Sequence, residues 1–416
     1  MSTLIRNLRQ IATPLGHTGV RGAAMRRLHV IDQGAIVIDG DRFTWVGPER
    51  DLPPGLRPGI EIDGHGGTAV PGFVDSHTHL PFAGYRESEF NRRLQGETYA
   101  QIAESGGGIA SSVRATRAAS EDALVALVLK RAATMARHGT TTAEAKSGYG
   151  LNLSDELKQL RAIRRAGQSS PVRLIATCLA AHEFPPEDKS PSWVERILDE
   201  ILPAVAAEKL AVFCDAFVER GVFTAEQGRA VLEAGRRLGL IPRLHADEFS
   251  DCHGAALAAG LHAASADHLM HIGDAGIAAL AASETAANLL PATSFFLMSD
   301  RYAPARKLIE AGAIVSLSTD CNPGSSMTES MQIVMQLATL QMKMTVEESL
   351  TAATLNGAHS LRIAGETGSI EPGKRADLVL IDAPSYLHLV YHFGVNLVGR
   401  VWQGGRDVVP GHAEDH

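Results

Sequence analysis

Cysteine is scarce. Cys178, Cys214, Cys252 and Cys321 are the whole complement, and no two form a Cys-x-x-Cys pair. Each falls in or beside an apolar segment, so the expected state is a buried free thiol in a reducing cytosol. Runs of basic residues are absent too. Lysine plus arginine number 39 against 47 aspartates and glutamates, a net charge of −8, which argues against nonspecific binding of nucleic acid or of an anionic membrane. No uninterrupted apolar stretch reaches the roughly 20 residues that a bilayer span requires. The opening Met1-Ser2-Thr3-Leu4-Ile5-Arg6 lacks the apolar core of a signal peptide, so a cytoplasmic protein is expected. Repeats and low-complexity tracts are also missing.

What is present is the composition of a soluble globular protein, 45% apolar and 21% charged over 416 residues. That length predicts a large domain with a smaller companion. Residues 1–69 read as short β segments. His29-Val30-Ile31 and Ala35-Ile36-Val37-Ile38-Asp39 are separated by Asp32-Gln33-Gly34, and Asp39-Gly40-Asp41 turns into Arg42-Phe43-Thr44-Trp45-Val46-Gly47. The far end is similar, with a strand at 376–382 and a hairpin at 397–405. One small β-sandwich built from 1–69 and 366–416 is therefore expected. Residues 70–365 alternate short apolar runs with alanine-rich helical patterns. The strand candidates are 70–76, 140–146, 172–180, 211–217, 241–245, 263–268, 286–290 and 313–319, with Ser154 as N-cap of the helix after the second. Eight βα-like units over roughly 300 residues match an α/β (β/α)8 TIM-like barrel, with a doubly wound sheet as the alternative. Gly106-Gly107-Gly108 follows no strand, which argues against a phosphate loop.

Barrels of this kind carry chemistry at the carboxyl ends of their strands. The first end reads Pro71-Gly72-Phe73-Val74-Asp75-Ser76-His77-Thr78-His79. Alternation along a strand puts His77 and His79 on one side, where two imidazoles can grip one cation. Other ends carry Ala181-His182-Glu183, His245-Ala246-Asp247-Glu248, Asp267-His268 and Thr319-Asp320-Cys321-Asn322. A lone buried histidine or a strand-end aspartate has an ordinary explanation as a hydrogen bonder or helix cap. Five of eight ends bearing His or Asp, beside a His-x-His, are hard to explain that way. Three imidazoles and a carboxylate suit zinc or ferrous iron, and such an ion lowers the pKa of a bound water from ~16 towards ~7. Glu248 is placed to move that water's proton, and Asp320 could both bind the ion and touch the water.

The Pro-Gly-Phe-Val-Asp lead into His-x-His, His245, Asp320 and the tail from Gly368 to Val379 resemble the amidohydrolase superfamily. Within it the chain is similar to the enzymes that open an imidazolone ring in histidine degradation. That likeness rests on Gly84-Tyr85-Arg86, Leu94-Gln95-Gly96, the triple glycine and Lys146-Ser147-Gly148-Tyr149-Gly150. The resemblance implies a metal-dependent hydrolase converting 4-imidazolone-5-propanoate to N-formimidoyl-L-glutamate. It implies one zinc or iron ion per subunit on His77, His79, His245 and Asp320. Substrate contacts would fall on Arg86, Tyr149, His182, Glu248, Asn322, Gly324 and Ser325, with His268 near the water and Glu248. A homodimer is implied, with no nucleic-acid or membrane partner.

Residue chemistry agrees. Arg86 offers a planar fork for the substrate's carboxylate arm, or else pairs with Glu87 or Glu89. Tyr149 sits between glycines on a loop that can cover a small ligand. His182 could polarise the ring carbonyl or support another residue. Backbone amides of the Asn322-Pro323-Gly324 turn could meet the ligand. Two rivals remain at this level: a deaminase or cyclic-amide hydrolase of the same superfamily acting on another heterocycle, and a non-catalytic scaffold, which should have lost ligands.

Overall fold

The computed structural model describes residues 2–97, 101–102, 105–187, 190 and 192–411, so the last five residues of the 366–416 segment lie outside it. In chain order the strands begin with β1 (Thr3–Thr13), β2 (His29–Asp39), β3 (Arg42–Pro48), β4 (Ile60–Asp63) and β5 (Thr68–Pro71). Then come β6 (Phe73–Asp75), β7 (Thr140–Lys146), β8 (Arg173–Ala181), β9 (Phe213–Val218), β10 (Ile241–Pro242) and β11 (Leu244–Ala246). β12 (Ser265–His268), β13 (Ala286–Leu289), β14 (Val315–Leu317), β15 (Leu378–Ile381), β16 (Val398–Gln403) and β17 (Arg406–Val409) complete the set.

The two termini meet in one mixed sheet, ordered β17-β16-β15-β5-β1-β2-β3 with β4 also on β1. Its core draws on both ends of that path: Ile36 and Phe43 pack with Leu378, Leu380 and Trp402. β2 is a single strand, not the two segments the Asp32-Gln33-Gly34 spacing predicts. Gln33 takes a left-handed φ of 50° inside it, and Asp32 pairs with Gln10 of β1, so partner hydrogen bonds carry the strand through the apparent turn.

The barrel runs β6-β7-β8-β9-β11-β12-β13-β14, all parallel, with β10 on β9. Seven of the eight strand candidates fall on it, and the first, 70–76, is split: Val70 and Pro71 belong to β5 in the sheet of the termini, and Phe73–Asp75 opens the barrel as β6. Strand five breaks at Arg243, after Pro242, which has no amide hydrogen to give the ladder. The seam between β14 and β6 closes just past the strand ends: Asp320 N donates to His77 O at 3.0 Å and His79 N to Cys321 O at 3.0 Å. That stitching brings the His-x-His against Asp320.

Helices wrap the barrel through ordinary amphipathic burial. In Glu121–Arg137, Leu124, Val128, Arg131, Ala132 and Met135 are buried at three- and four-residue spacing, and Ser120 caps the start. The helix Leu153–Ala166 is capped by Asn152, whose side chain accepts from Asp155 N; Ser154 instead donates to Asn152. Cys178, Cys214 and Cys321 are buried free thiols, but Cys252 is half-buried, because it lies in the loop beyond β11. No helix among the described residues is long and apolar enough to cross a membrane.

Candidate active site

Strand ends bring the ligand candidates together at one mouth of the barrel. Nε2 of His77 and Nε2 of His79 lie 3.5 Å and 3.4 Å from Oδ1 of Asp320. The His245 ring centroid is 4.5 Å from that of His77 and 5.5 Å from that of His79. His77, His79 and His245 each offer a nitrogen within 4.8 Å of the others; so do the ligand atoms of His77, His268 and Asp320. All five side chains are buried. His77 and His79 leave the strand before they meet the cluster, yet the alternation persists and both rings face Asp320.

The donor set fits a cation. His77 Nε2, His245 Nε2 and Asp320 Oδ1 are buried without a hydrogen-bond partner. Buried polar atoms are rarely left so, and three in one cluster are the mark of a ligand shell. Burial and neighbouring charges hold His77 and His79 well below the usual imidazole pKa, so both present lone pairs rather than protons. Oδ2 of Asp320 is already used, accepting from Thr293 Oγ1 at 2.7 Å. Asp320 has a φ of 54° and His268 a φ of 79°, left-handed backbone that side chains other than glycine adopt only under constraint.

A cavity of about 790 Å³ opens over this cluster. Arg86, Tyr149, His182, Glu248, His268, Asn322, Gly324 and Ser325 all line it, beside His79, His245 and Asp320; His77 is not part of the lining. Glu248 Oε1 stands 3.6 Å from His268 Nδ1. Burial first, then the charges of Asp320 and Glu219, push the Glu248 carboxyl well above the carboxylate range, while burial lowers His268 to about 3. His182 stacks on His79 at 5.1 Å, and its Nδ1 lies 3.0 Å from Gly148 O. A carbonyl only accepts, so Nδ1 carries the proton. Burial keeps the ring neutral, which leaves Nε2 as an acceptor.

Two expectations change at the rim. The Gly324 and Ser325 amides are not open to a ligand: both donate to Asn322 Oδ1 at 2.8 Å, an Asx turn that the sequence spacing alone does not reveal. Arg86 does form the ion pair with Glu89, Nε to Oε2 at 2.7 Å, while remaining in the cavity wall. Its guanidinium packs close against Gly324, where an added Cβ would come 2.2 Å from Nη1.

Sequence reasoning passed over the charges behind the cluster. Asp267 Oδ2 meets His77 Nδ1 at 2.9 Å, Asp215 Oδ2 meets His245 Nδ1 at 3.1 Å, and Lys146, Glu144 and Arg243 are buried with them. The available signal was a charge inside an apolar strand, as in Phe213-Cys214-Asp215-Ala216-Phe217-Val218. Arg93 and Glu219, also in the cavity wall, carried no such signal.

A parallel barrel with a histidine–aspartate cluster at its mouth and a sheet built from both termini is the architecture of a metal-dependent hydrolase. The chain belongs to the Amidohydrolase family, whose sequence model matches residues 68–406. It is 49% identical over 413 residues to the imidazolonepropionase of Porphyromonas gingivalis ATCC 33277, covering 98% of this chain and 97% of that one. It is 46% identical over 413 residues to the imidazolonepropionase of Brevibacillus brevis, covering 97% of each. Among solved structures, a triazine hydrolase variant aligns with a TM-score of 0.76 at 18% identity, over 99% of this chain and 95% of that one. An adenosine deaminase from Xanthomonas campestris, solved with bound zinc, aligns at 0.70 and 20%, over 97% and 92%. These two likenesses concern the fold.

Proposed function

We propose that this chain hydrolyses 4-imidazolone-5-propanoate to N-formimidoyl-L-glutamate, a step of histidine degradation, as its imidazolonepropionase relatives are named for doing. One observation carries the reading. The ligand candidates His79, His245 and Asp320, with His77 3.5 Å from Asp320 behind the wall, share a single cavity of small-molecule size with a guanidinium paired to Glu89, in a chain matched to those relatives almost end to end. His77, His79, His245 and Asp320 would hold one zinc or iron ion per subunit. Such an ion, when bound, supplies Lewis acidity and an acidified water.

The remaining work belongs to the chain's own side chains. Arg86 receives the carboxylate arm; its bond to Glu89 fixes the plane of the guanidinium before substrate arrives. Tyr149 and His182, with ring centroids 5.3 Å apart, border the ring site. His182 Nε2, an acceptor, takes a ring N–H of the substrate and so orients the carbonyl carbon toward Asp320 and Glu248. In its ionised form, which positive charge at the cluster would favour, Glu248 removes a proton from the attacking water, whose oxygen adds to the ring carbonyl carbon. The carbon–nitrogen bond then breaks, and Glu248 returns the proton to the departing nitrogen. His268 keeps Glu248 in place, and Asn322 and Ser325 brace Asp320 through its carbonyl and Oδ2.

The test is turnover by metal-quantified protein of 4-imidazolone-5-propanoate against cytosine, guanine and hydantoin. The expected result is turnover of the imidazolone alone. Fully metallated protein that ignores it, or prefers another ring, overturns the proposal.

A further inference from the structure

Behind the His77–His245 pair lies a closed ring of buried charge. Lys146, at the carboxyl end of β7, has no exposed surface. Its Nζ is 2.7 Å from Glu144 Oε1, 2.7 Å from Asp215 Oδ2 and 4.0 Å from Asp267 Oδ2. The two aspartate oxygens are the very atoms that meet the imidazoles, Asp215 Oδ2 at His245 Nδ1 and Asp267 Oδ2 at His77 Nδ1. Arg243 closes the ring, with Nε 3.2 Å from Glu144 Oε1 and Nη2 3.4 Å from Asp267 Oδ2. Three barrel strands, β7, β9 and β12, thus converge on one ammonium.

We infer that Lys146 is the positioning residue of the metal site: through Asp215 and Asp267 it sets the tautomer and aim of two of its imidazoles. The inference rests on the proposed ligand set. A carboxylate at Nδ1 fixes the proton there and points the Nε2 lone pair at the ion. That works only while the carboxylate is held in place, and a buried carboxylate needs a counter-ion. The ring contains three carboxylates and two cations. Without the ammonium, Asp215 and Asp267 lose the anchor that Lys146 Nζ provides at 2.7 and 4.0 Å. A displaced aspartate no longer anchors Nδ1–H.

The sign of the effect separates this role from bulk electrostatics. An ammonium behind the site repels a bound cation, so charge alone predicts tighter metal binding once Lys146 is neutralised. Positioning predicts weaker binding. A lysine that served only the fold would change the thermal midpoint of the apoprotein and leave metal affinity where it was.

The experiment measures Zn2+ affinity of the apoprotein at neutral pH by competition with a chromophoric chelator. The proteins are wild type, Lys146→Met, Lys146→Gln, Asp215→Asn, the Lys146→Met/Asp215→Asn double variant and His245→Ala, with thermal unfolding checking each fold. Both Lys146 variants should bind Zn2+ about 10–100-fold more weakly, the range typical for partners of metal-bound histidines. The double variant should be far less impaired than the sum of the two single losses, because both act through one contact. Unchanged or tighter affinity in either folded Lys146 variant, or additive losses, overturns the inference. Histidine 15N spectra of wild-type apoprotein need no substitution: His77 and His245 should each carry the proton on Nδ1, and the opposite tautomer at either also overturns it. Failure of the ligand set shows separately, as His245→Ala retaining wild-type affinity.

Discussion

Oε1 of Glu156 accepts the amide hydrogen of Gly150 at 2.9 Å, and the same oxygen takes the amide of Leu151 at 2.8 Å. A carboxylate in the first turn of the Leu153–Ala166 helix therefore holds the loop that carries Tyr149 beside His79. Leu151 sits at a φ of 48°, a costly conformation for leucine that these bonds help maintain. Glu156→Gln weakens both. Steady-state kinetics should give a KM roughly 3–10-fold higher with kcat nearly unchanged and full metal content, as one weakened pair of bonds to a charged acceptor allows. An unaltered KM would free Tyr149 from any dependence on this carboxylate.

Gly324 is where Arg86 rests, and a methyl group there would collide with Nη1 at 2.2 Å. The colliding atom ends a flexible side chain, so Gly324→Ala should leave thermal stability within about 0.5 kcal/mol, as most substitutions at half-exposed positions do. The guanidinium must turn away instead, at the expense of the carboxylate contact. KM should rise about tenfold or more for the propanoate-bearing substrate. The increase should shrink for an analogue without the carboxylate. Equal effects on both substrates would place the carboxylate elsewhere.

Glu248 and His245 lie three residues apart and should fail differently. Glu248→Gln keeps the side chain's shape and removes the proton carrier, so kcat should fall by about 10²–10⁴ while elemental analysis finds a full complement of metal. His245→Ala should lose metal and, with it, turnover. Near wild-type turnover by Glu248→Gln removes that residue from the chemistry, and a metal-replete His245→Ala contradicts its place in the shell.

The barrel was legible because most of its strands are short apolar runs ended or followed by a polar residue, and for β7 the expected bounds match at both ends, Thr140–Lys146. His77, His79, His245 and Asp320 stood out because polar residues at the ends of such runs are conspicuous. Three features were hidden for physical reasons. β2 continues through Asp32-Gln33-Gly34 because the neighbouring strand supplies its bonds, a tertiary contact that local turn chemistry does not contain. The Asn322 side chain occupies the Gly324 and Ser325 amides, so the expected donors are spent internally. The Lys146–Asp215–Asp267 ring joins residues 69 or more positions apart in some pairs and 52 in another, and no local pattern links them.

Glu348 joins the start of the chain to the barrel. Its buried carboxylate bonds Arg26 at 2.9 Å and Arg306, and it completes the capping box of the Val346–Ala353 helix with Thr345. Burial opposes its ionisation, but the bonds from Arg306, Thr345 and Arg26 outweigh that and lower its pKa below the ordinary 4.5. A depressed carboxyl contributes stability that is fully present above the unfolded value and is lost as pH falls through the folded one. Glu348→Gln should therefore cost about 2 kcal/mol near neutrality, as expected for a buried carboxylate hydrogen-bonded to charged partners. Urea unfolding as a function of pH should show the gap between wild type and variant narrowing below 4.5 and closing at lower pH. A gap constant across that range would assign the loss to the helix cap and to packing rather than to the ion pairs.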